Sequence, residues 1–215
     1  MSVEQKVRNH FHADARRFDA IYEDDKSAFT RWVDNVWRGV VRRRFDLTLE
    51  LLEPLAGKSL LDVGCGSGRY CIAYAERGAI RVVGVDFAAA MIDLANEHAR
   101  RAGVANACEF RAGMFPDAAP EETFDYSSAM GFFDYVSDPV PIVSRMREMT
   151  RSTMVMSFPK SREWRVPIRR LRFWFSGCPL FLYSETEVRQ ILSNAGVTSY
   201  DWIELDRDYI VAARL

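Results

Sequence analysis

The glycine-rich segment from Asp62 to Gly68 constrains the fold of this 215-residue chain more than any other feature. It reads D-V-G-C-G-S-G, follows the apolar pair Leu60-Leu61 and leads into the largely apolar stretch 70–75. A buried strand, a glycine-rich turn and a helix, in this order, build a nucleotide-sized crevice in a parallel α/β sheet. Glycine permits positive φ angles and lets a ligand approach the bare backbone. The segment therefore predicts a βα unit with a ligand at its turn.

The spacing of the glycines favours one class of ligand over another. A dinucleotide fold requires G-x-G-x-x-G, with the third glycine packing the helix on the strand. Counted from Gly64, that third place is Arg69, and the glycines read G-x-G-x-G instead. The carboxylate of Asp62 would sit poorly beside a pyrophosphate but suits a ligand that carries an ammonium group. A dehydrogenase remains an alternative that Arg69 opposes.

Residues 60–68 resemble motif I of the class I S-adenosylmethionine-dependent methyltransferases, hh-D-x-G-x-G-x-G, and match it at every position. A second strand-like segment, 82–87, contains Asp86 eighteen residues after Gly68. The acid at the end of the second strand binds ribose hydroxyls in ribose-binding α/β folds, which is the role expected of Asp86. The resemblance implies S-adenosyl-L-methionine as the cofactor and S-adenosyl-L-homocysteine as its product.

The resemblance also implies how the adenine is held. Phe87 and Met91 match the pattern D-h-S/A-x-x-M-I and are expected to flank the ring by stacking and by a sulfur contact. Many members carry G-D-h after the third strand, whereas this chain has Ala112-Gly113-Met114 and lacks the acid. We expect backbone groups of Gly113 and Met114 to bond the adenine edge. The full set of expected cofactor-binding residues is Asp62, Gly64, Cys65, Gly66, Gly68, Asp86, Phe87, Met91, Gly113, Met114, Met130 and Tyr22.

The segment 124–139 resembles motif IV of small-molecule members of this family. Methyltransferases acting on exocyclic amino or amide nitrogens of nucleic acid and protein usually carry D/N-P-P-F/Y/W here, and Ser128-Ala129-Met130-Gly131 is unlike it. We therefore expect a small-molecule acceptor that is methylated on oxygen, with another acceptor atom as the alternative. Asp134 and Tyr135 occupy the place often held by histidine and are the candidate catalytic residues. A turn-capping role for Asp134 stays open.

Two further alternatives stay open for the function. The missing acid at Gly113 and the missing histidine of motif IV would suit a cofactor-binding module without catalysis. The early extension, the stretch Arg169–Pro179 and the closing hairpin are loosely similar to magnesium-protoporphyrin methyltransferases, which would imply a tetrapyrrole-like or membrane-associated acceptor. The basic and aromatic segment 160–175 also suits an anionic membrane surface, although we favour a role in binding substrate.

Composition limits the partners and the compartment. A formal net charge of −1 argues against bulk binding of nucleic acid, and 48% hydrophobic residues are typical of a soluble globular protein. The four cysteines are scattered without a companion histidine cluster, so we expect no metal site and reduced thiols in the cytoplasm. No signal peptide or membrane span is visible in the sequence. The oligomeric state is not predicted.

Strand and helix patterns alternate along the chain and predict a Rossmann-like α/β fold. It has seven strands in a mostly parallel sheet with an antiparallel last strand, helices on both faces and an N-terminal helical lid. Strands are expected near 58–63, 81–86, 107–112, 124–130, 152–158, 198–205 and 208–214. Helices are expected near 3–22, 27–53, 69–77, 88–102, 138–150 and 184–195. The side chain of His98, late in the fourth of these helices, is expected to be solvated. We expect one domain, divided into an extension (1–57), a cofactor-binding core (58–160), an insertion (160–183) and a C-terminal helix and hairpin (184–215).

Overall fold

The computed structural model describes residues 41–161, 180–205 and 207–215. The strands are β1 (Ser59–Val63), β2 (Arg81–Asp86), β3 (Cys108–Ala112), β4 (Phe124–Ala129), β5 (Thr150–Pro159), β6 (Tyr200–Leu205) and β7 (Asp208–Arg214). The helices are α1 (41–51), α2 (Arg69–Glu76), α3 (Ala89–Arg101), α4 (Pro139–Met149) and α5 (Glu185–Asn194), and a 3-10 turn spans Phe133–Tyr135. The strands and helices predicted within the described residues are confirmed, and their ends differ from the prediction by at most two residues.

The seven strands form one sheet in the order β3-β2-β1-β4-β5-β7-β6. β1 to β5 pair in parallel, and β7 pairs antiparallel with both β5 and β6. β6 and β7 are joined without a helix, so the chain must reverse and the last strand enters the sheet antiparallel, as predicted. The strand order reverses direction between β1 and β4, and the carboxyl ends of such a pair border the ligand crevice of open α/β sheets.

Helices cover both faces of the sheet. On one face α4 and α5 pack on a core that includes Phe133, Phe158, Met146 and Leu192. On the other face α1, α2 and α3 pack on a second core, to which Tyr74 and Leu52 belong. β1 between these layers is buried along almost its whole length, as an apolar strand of a parallel sheet must be.

The ends of two helices show why the sequence begins them where it does. Ser184 caps α5, because its hydroxyl accepts from the Glu187 amide (3.3 Å) while the Glu187 carboxylate accepts from the Ser184 amide (2.7 Å). This confirms the predicted capping box. Asp138 caps α4 by accepting from the Val140 amide at 3.3 Å.

Parts of the predicted architecture lie outside the described residues. They are the helix 3–22, the first part of the helix 27–53, the proposed lid with Tyr22, and the segment 162–179. Among the residues that are described, no helix is both long enough and apolar enough to cross a membrane.

Candidate functional site

The turn between β1 and α2 carries three glycines with positive φ, and packing requires two of them. Gly64, Gly66 and Gly68 have φ of 73°, 53° and 81°. A Cβ on Gly64 would lie 2.5 Å from Phe132 Cδ2, and one on Gly68 would lie 2.9 Å from Ala95 Cβ. At Gly66, by contrast, nothing lies within 4 Å of a built Cβ. The loop backbone is therefore packed at its two ends and open at its centre, where a ligand can approach it.

Hydrogen bonds fix this loop to the end of β2. The amides of Gly64 and Cys65 both donate to the Val85 carbonyl, at 2.8 and 3.1 Å. The amide of Gly66 donates to Asp86 Oδ2 at 3.0 Å. The open centre of the loop is thus held directly against the carboxylate that the sequence singled out.

Asp86 retains the capacity to bind a ligand. Its Oδ1 accepts from the Ala88 amide at 2.9 Å, and its Oδ2 accepts from Gly66. Burial raises the pKa of Asp86, and the two backbone hydrogen bonds oppose that rise. Because a carboxylate oxygen has two lone pairs, each oxygen accommodates a second donor. Two such sites on one oriented carboxylate suit a vicinal pair of hydroxyl groups.

A small apolar cluster lies beside Asp86, apart from the two main cores. Its buried members are Ala88 and Met91, and Phe87, Ala90 and Leu94 pack against them. Met91 is buried at the first turn of α3, and Phe87 is half-buried directly after the carboxylate. An apolar surface of this kind suits one face of an aromatic ring.

The residues after β3 fit the expected adenine contacts only in part. The Gly113 amide already donates to the Asp86 carbonyl at 2.9 Å. A Cβ on Gly113 would lie 2.7 Å from Ala118 Cβ, so this glycine is required by packing. Its amide therefore has a partner inside the protein, and a bond to the adenine edge would have to come from the Gly113 carbonyl or from the backbone of Met114. Met114 is exposed next to it.

The carboxylate of Asp62 has hydrogen-bond partners inside the protein. It is 2% exposed and accepts from Ser128 Oγ (2.6 Å) and Cys71 Sγ (3.4 Å). Burial raises the pKa of Asp62 to about 7, although the hydrogen bonds from Ser128 and Cys71 act to lower it. Ser128 and Cys71 come from β4 and α2, so the sequence near Asp62 gave no sign of them. The carboxylate ties β1 to both elements, and its role toward an ammonium group of the ligand stays a prediction.

Met130 borders the crevice at the end of β4. It is 7% exposed and packs in the same core as Cys65 of the glycine loop. The following amide, that of Gly131, donates to Ser157 Oγ at 2.7 Å and turns the chain toward β5. This arrangement brings the first and fourth strands together at the predicted site.

The candidate catalytic residues lie in the 3-10 turn that follows. Asp134 is buried and Tyr135 is half-buried. The Asp134 carbonyl accepts from the Phe181 amide at 2.9 Å, and the Tyr183 hydroxyl donates to the Val136 carbonyl at 2.9 Å. Burial and then the charge of Asp134 raise the pKa of Tyr183 well above its ordinary value, so the hydroxyl remains a donor. The C-terminal end of the predicted insertion is therefore joined to the turn that carries Asp134.

His98 is a residue whose environment the sequence analysis misjudged. We expected a solvated side chain because its neighbours in sequence are charged. The ring is instead half-buried, with Nδ1 at 3.2 Å from the carbonyl oxygen of Ser67 in the glycine loop. Periodicity within α3 could have indicated this inward position, since Ala95 lies on the same helix face.

The sheet order, the glycine loop and the carboxylate on the neighbouring strand define a Rossmann-like domain of the kind that binds nucleotide cofactors. Residues 55–196 match the family model described as a methyltransferase domain. The chain therefore belongs to the methyltransferase domain family.

Known proteins similar to this chain include enzymes with different acceptors. A ubiquinone biosynthesis O-methyltransferase of Rhodopseudomonas palustris (strain TIE-1) is 31% identical over 129 residues, which are 60% of this chain and 50% of that protein. The chain thus spans about half the length of the curated relatives it matches. The crystal structure of magnesium protoporphyrin IX methyltransferase from Synechocystis PCC 6803 with bound S-adenosylhomocysteine superposes with a TM-score of 0.79 at 20% identity, covering 98% of this chain and 99% of that one. The cyclase SpnF superposes with a TM-score of 0.73 at 16% identity, covering 97% and 94%. At these identities the structural matches establish the fold.

Proposed function

We propose that the protein transfers a methyl group from S-adenosyl-L-methionine to an oxygen of a small-molecule acceptor. The observation that carries the proposal is the pairing of the Gly66 amide with the Asp86 carboxylate at the open centre of the loop. The groups present fit the cofactor, because the Asp86 carboxylate can accept from two hydroxyl groups and lies between the half-buried backbone of Gly66 and an apolar cluster. Membership of the methyltransferase domain family supports the same assignment.

The cofactor would be held by residues at the ends of β1, β2, β3 and β4, at the start of α3 and in the N-terminal extension. Asp86 would accept the ribose hydroxyls, and Phe87 and Met91 would contact the adenine faces. The backbone of the loop would pass along the ligand at Gly64, Cys65, Gly66 and Gly68. Asp62 would hold β1 in place through its hydrogen bonds in the core. Met130 would border the methionine part of the cofactor, and Met114, next to Gly113, would border the adenine edge. Tyr22, which lies outside the described residues, would cover the open side of the cofactor.

The chemistry asks the protein mainly to align its reactants. When bound, the cofactor supplies a methyl group on a sulfonium, a leaving group that is already activated. The chain contributes proximity, which can lower the barrier by several kcal/mol. The carboxylate of Asp134 would take the proton from an acceptor hydroxyl, with Tyr135 beside it. The buried side chain of Met130 helps to exclude water from this edge of the sheet.

An oxygen acceptor is supported by the relatives and by the absence of the nitrogen-methylation motif at 128–131. The likeness to magnesium protoporphyrin IX methyltransferase favours a tetrapyrrole-like acceptor as the second possibility, because it extends over nearly the whole chain. We also propose that the protein acts in the cytoplasm. The described cysteines, Cys65, Cys71 and Cys108, are free thiols, which suits a reducing compartment.

The proposal is tested by following a labelled methyl group. The protein is incubated with S-adenosyl-L-methionine carrying a labelled methyl and with matched phenols, anilines and thiophenols, and with a protoporphyrin as a separate arm. We expect label in the ether products of the phenols. Label in the amine would overturn the oxygen assignment, and label in the protoporphyrin ester would select the second acceptor class.

A cofactor-binding protein without methyl transfer is the other candidate function. Two observations favour it: glycine stands where many members carry an acid after β3, and the cyclase SpnF has the same fold. Calorimetry with S-adenosyl-L-homocysteine separates the cases. Binding without transfer to any acceptor supports this candidate, and absence of binding overturns both.

A further inference from the structure

We infer that His98 is a positioning residue that holds the Ser67–Gly68 peptide of the glycine loop in the orientation the cofactor requires. The inference rests on the proposed function and adds to it a residue from outside the loop motif. His98 lies near the end of α3, thirty residues beyond the loop.

The loop packs on α3 through two positions of one helix face. Residues three apart on a helix are neighbours on its surface, which places Ala95 and His98 side by side. A Cβ on Gly68 would come within 2.9 Å of Ala95 Cβ, so only glycine allows this approach. His98 Nδ1 lies 3.2 Å from the Ser67 carbonyl oxygen, directly beside that contact. The helix thus supplies both a packing surface and a polar anchor to the loop.

The chemistry of the partner identifies the tautomer. A carbonyl oxygen only accepts hydrogen bonds, so His98 Nδ1 must carry the proton. On the other side of the same peptide, the Gly68 amide donates to the Cys65 carbonyl at 3.0 Å. Rotation of the Ser67–Gly68 peptide would break both bonds at once. Its orientation is therefore fixed from two sides.

Fixing this peptide matters for the proposed ligand site. The amide of Gly66, two residues before Gly68, donates to Asp86, and Gly66 is where the loop faces open space. The loop is thus held by Asp86 before its open point and by His98 after it. Without His98, the second attachment is lost and the backbone that meets the ligand gains alternative orientations. We expect weaker binding, since part of the binding free energy must then order the loop.

A series of substitutions at position 98 tests the donor itself. The amide nitrogen of asparagine sits at the same distance along the side chain as Nδ1 of histidine, and aspartate places an oxygen there. We expect His98→Ala to weaken S-adenosyl-L-homocysteine binding about three- to tenfold, the loss of one hydrogen bond. His98→Asn should restore affinity to within about twofold, and His98→Asp should bind no better than His98→Ala because two acceptors would face each other. Asn96→Ala is the control, because Asn96 donates only within α3, to the Ile92 carbonyl at 2.9 Å.

Nitrogen NMR of the histidine ring gives a readout that a packing role would not produce. We expect proton-bearing Nδ1 in the wild-type protein, although the Nε2 tautomer is the commoner one in free imidazole. A ring protonated only at Nε2, a His98→Ala variant that binds as the wild type does, or equal affinities for His98→Asn and His98→Asp would each overturn the assignment. If the wild type fails to bind S-adenosyl-L-homocysteine, the proposed function falls and takes this role with it. If the wild type binds S-adenosyl-L-homocysteine and all the position-98 variants bind it equally well, only the proposed role of His98 is wrong.

Discussion

Two carboxylates near the glycine loop have different roles because their partners differ. Asp86 is bonded by backbone amides at the edge of the crevice and keeps acceptor capacity for a ligand. Asp62 is bonded by Ser128 and Cys71 within the core. The charge of Asp86 adds to the effect of burial and raises the pKa of Asp62 further. The carboxylate proposed to bind the ribose therefore lies at the crevice, and the other one lies in the core.

The raised pKa of Asp62 makes stability depend on pH. In the folded protein its pKa is about 7, against the ordinary value of 3.8 in the unfolded chain. The unfolded chain therefore releases this proton first, and the free energy of unfolding falls as pH rises from about 4 to about 7 and is constant above. The difference corresponds to about 4 kcal/mol. Asp62→Asn should abolish this part of the slope, measured by urea unfolding across that pH range.

Asp125 provides the matched control for this measurement. Hydrogen bonds from Ser59 lower the pKa of Asp125, so its contribution to stability is lost as pH falls, opposite in sign to that of Asp62. Asp125→Asn should leave the decline between pH 4 and 7 in place. A wild-type slope retained in Asp62→Asn would show that the carboxylate is ionised in the folded protein at pH 4.

Replacing Asp86 tests the binding carboxylate directly. Asp86→Ala removes the partner of the Gly66 amide and both proposed acceptors for the ribose, a loss of roughly 1–3 kcal/mol in binding free energy. Calorimetry with S-adenosyl-L-homocysteine should show the weakening while circular dichroism stays native. Asp93→Ala, an exposed carboxylate on α3, should bind normally. Equal affinity for the two variants would remove Asp86 from the site.

At the scale of elements, the loop between β1 and α2 can be tested against a turn of similar geometry. Gly66 and Gly57 both have positive φ, 53° and 75°, and nothing lies within 4 Å of a built Cβ at either. Alanine at either position should cost about 1–2 kcal/mol of stability through backbone strain. Only Gly66→Ala should also abolish S-adenosyl-L-homocysteine binding, because its Cβ would occupy the space where the ligand meets the loop.

Chemical unfolding and calorimetry on the two glycine variants separate strain from binding. If Gly57→Ala loses binding as fully as Gly66→Ala, strain alone explains the effect. If Gly66→Ala still binds normally, the cofactor lies away from the loop.

The elements of this fold were predictable because local patterns determine them. Consecutive residues are enough to identify the apolar run of β2, the capping box of α5 and the strand pair at the C-terminus. The partners of Asp62 and of His98 were not predictable, although the periodicity of α3 indicates that His98 faces inward. Both depend on side chains brought together from separate strands and helices, Ser128 and Cys71 in one case and Ser67 in the other. The sequence shows that Gly113 replaces the acid of the family motif. It does not show that the Gly113 amide donates to the Asp86 carbonyl.

In the molecule as a whole, a buried ion pair joins the first described helix to the start of β7. Arg44 Nη1 on α1 lies 3.2 Å from Asp208 Oδ2 at the start of β7, with side chains 9% and 3% exposed. The guanidinium also packs on Gly131, where a Cβ would lie 3.1 Å from Arg44 Nη2. The pair thus fastens α1 across the carboxyl ends of β4 and β5 and the amino end of β7, next to the proposed acceptor side.

Breaking this pair should loosen the covering of the sheet by α1. Arg44→Met leaves the buried carboxylate of Asp208 with only Arg207 Nε, at 3.8 Å, among the described ion pairs. Removing one partner of a buried pair costs about 3–5 kcal/mol, and we expect the lower value because Arg207 compensates in part. The double variant Arg44→Met/Asp208→Asn should recover stability relative to the sum of the single variants, because it leaves neither charge buried alone. Arg101→Met, which breaks only an exposed pair with Glu97, should change stability by about 0.5 kcal/mol or less. Strictly additive losses in urea unfolding would show that Arg44 stabilises α1 by packing on Gly131, independently of Asp208.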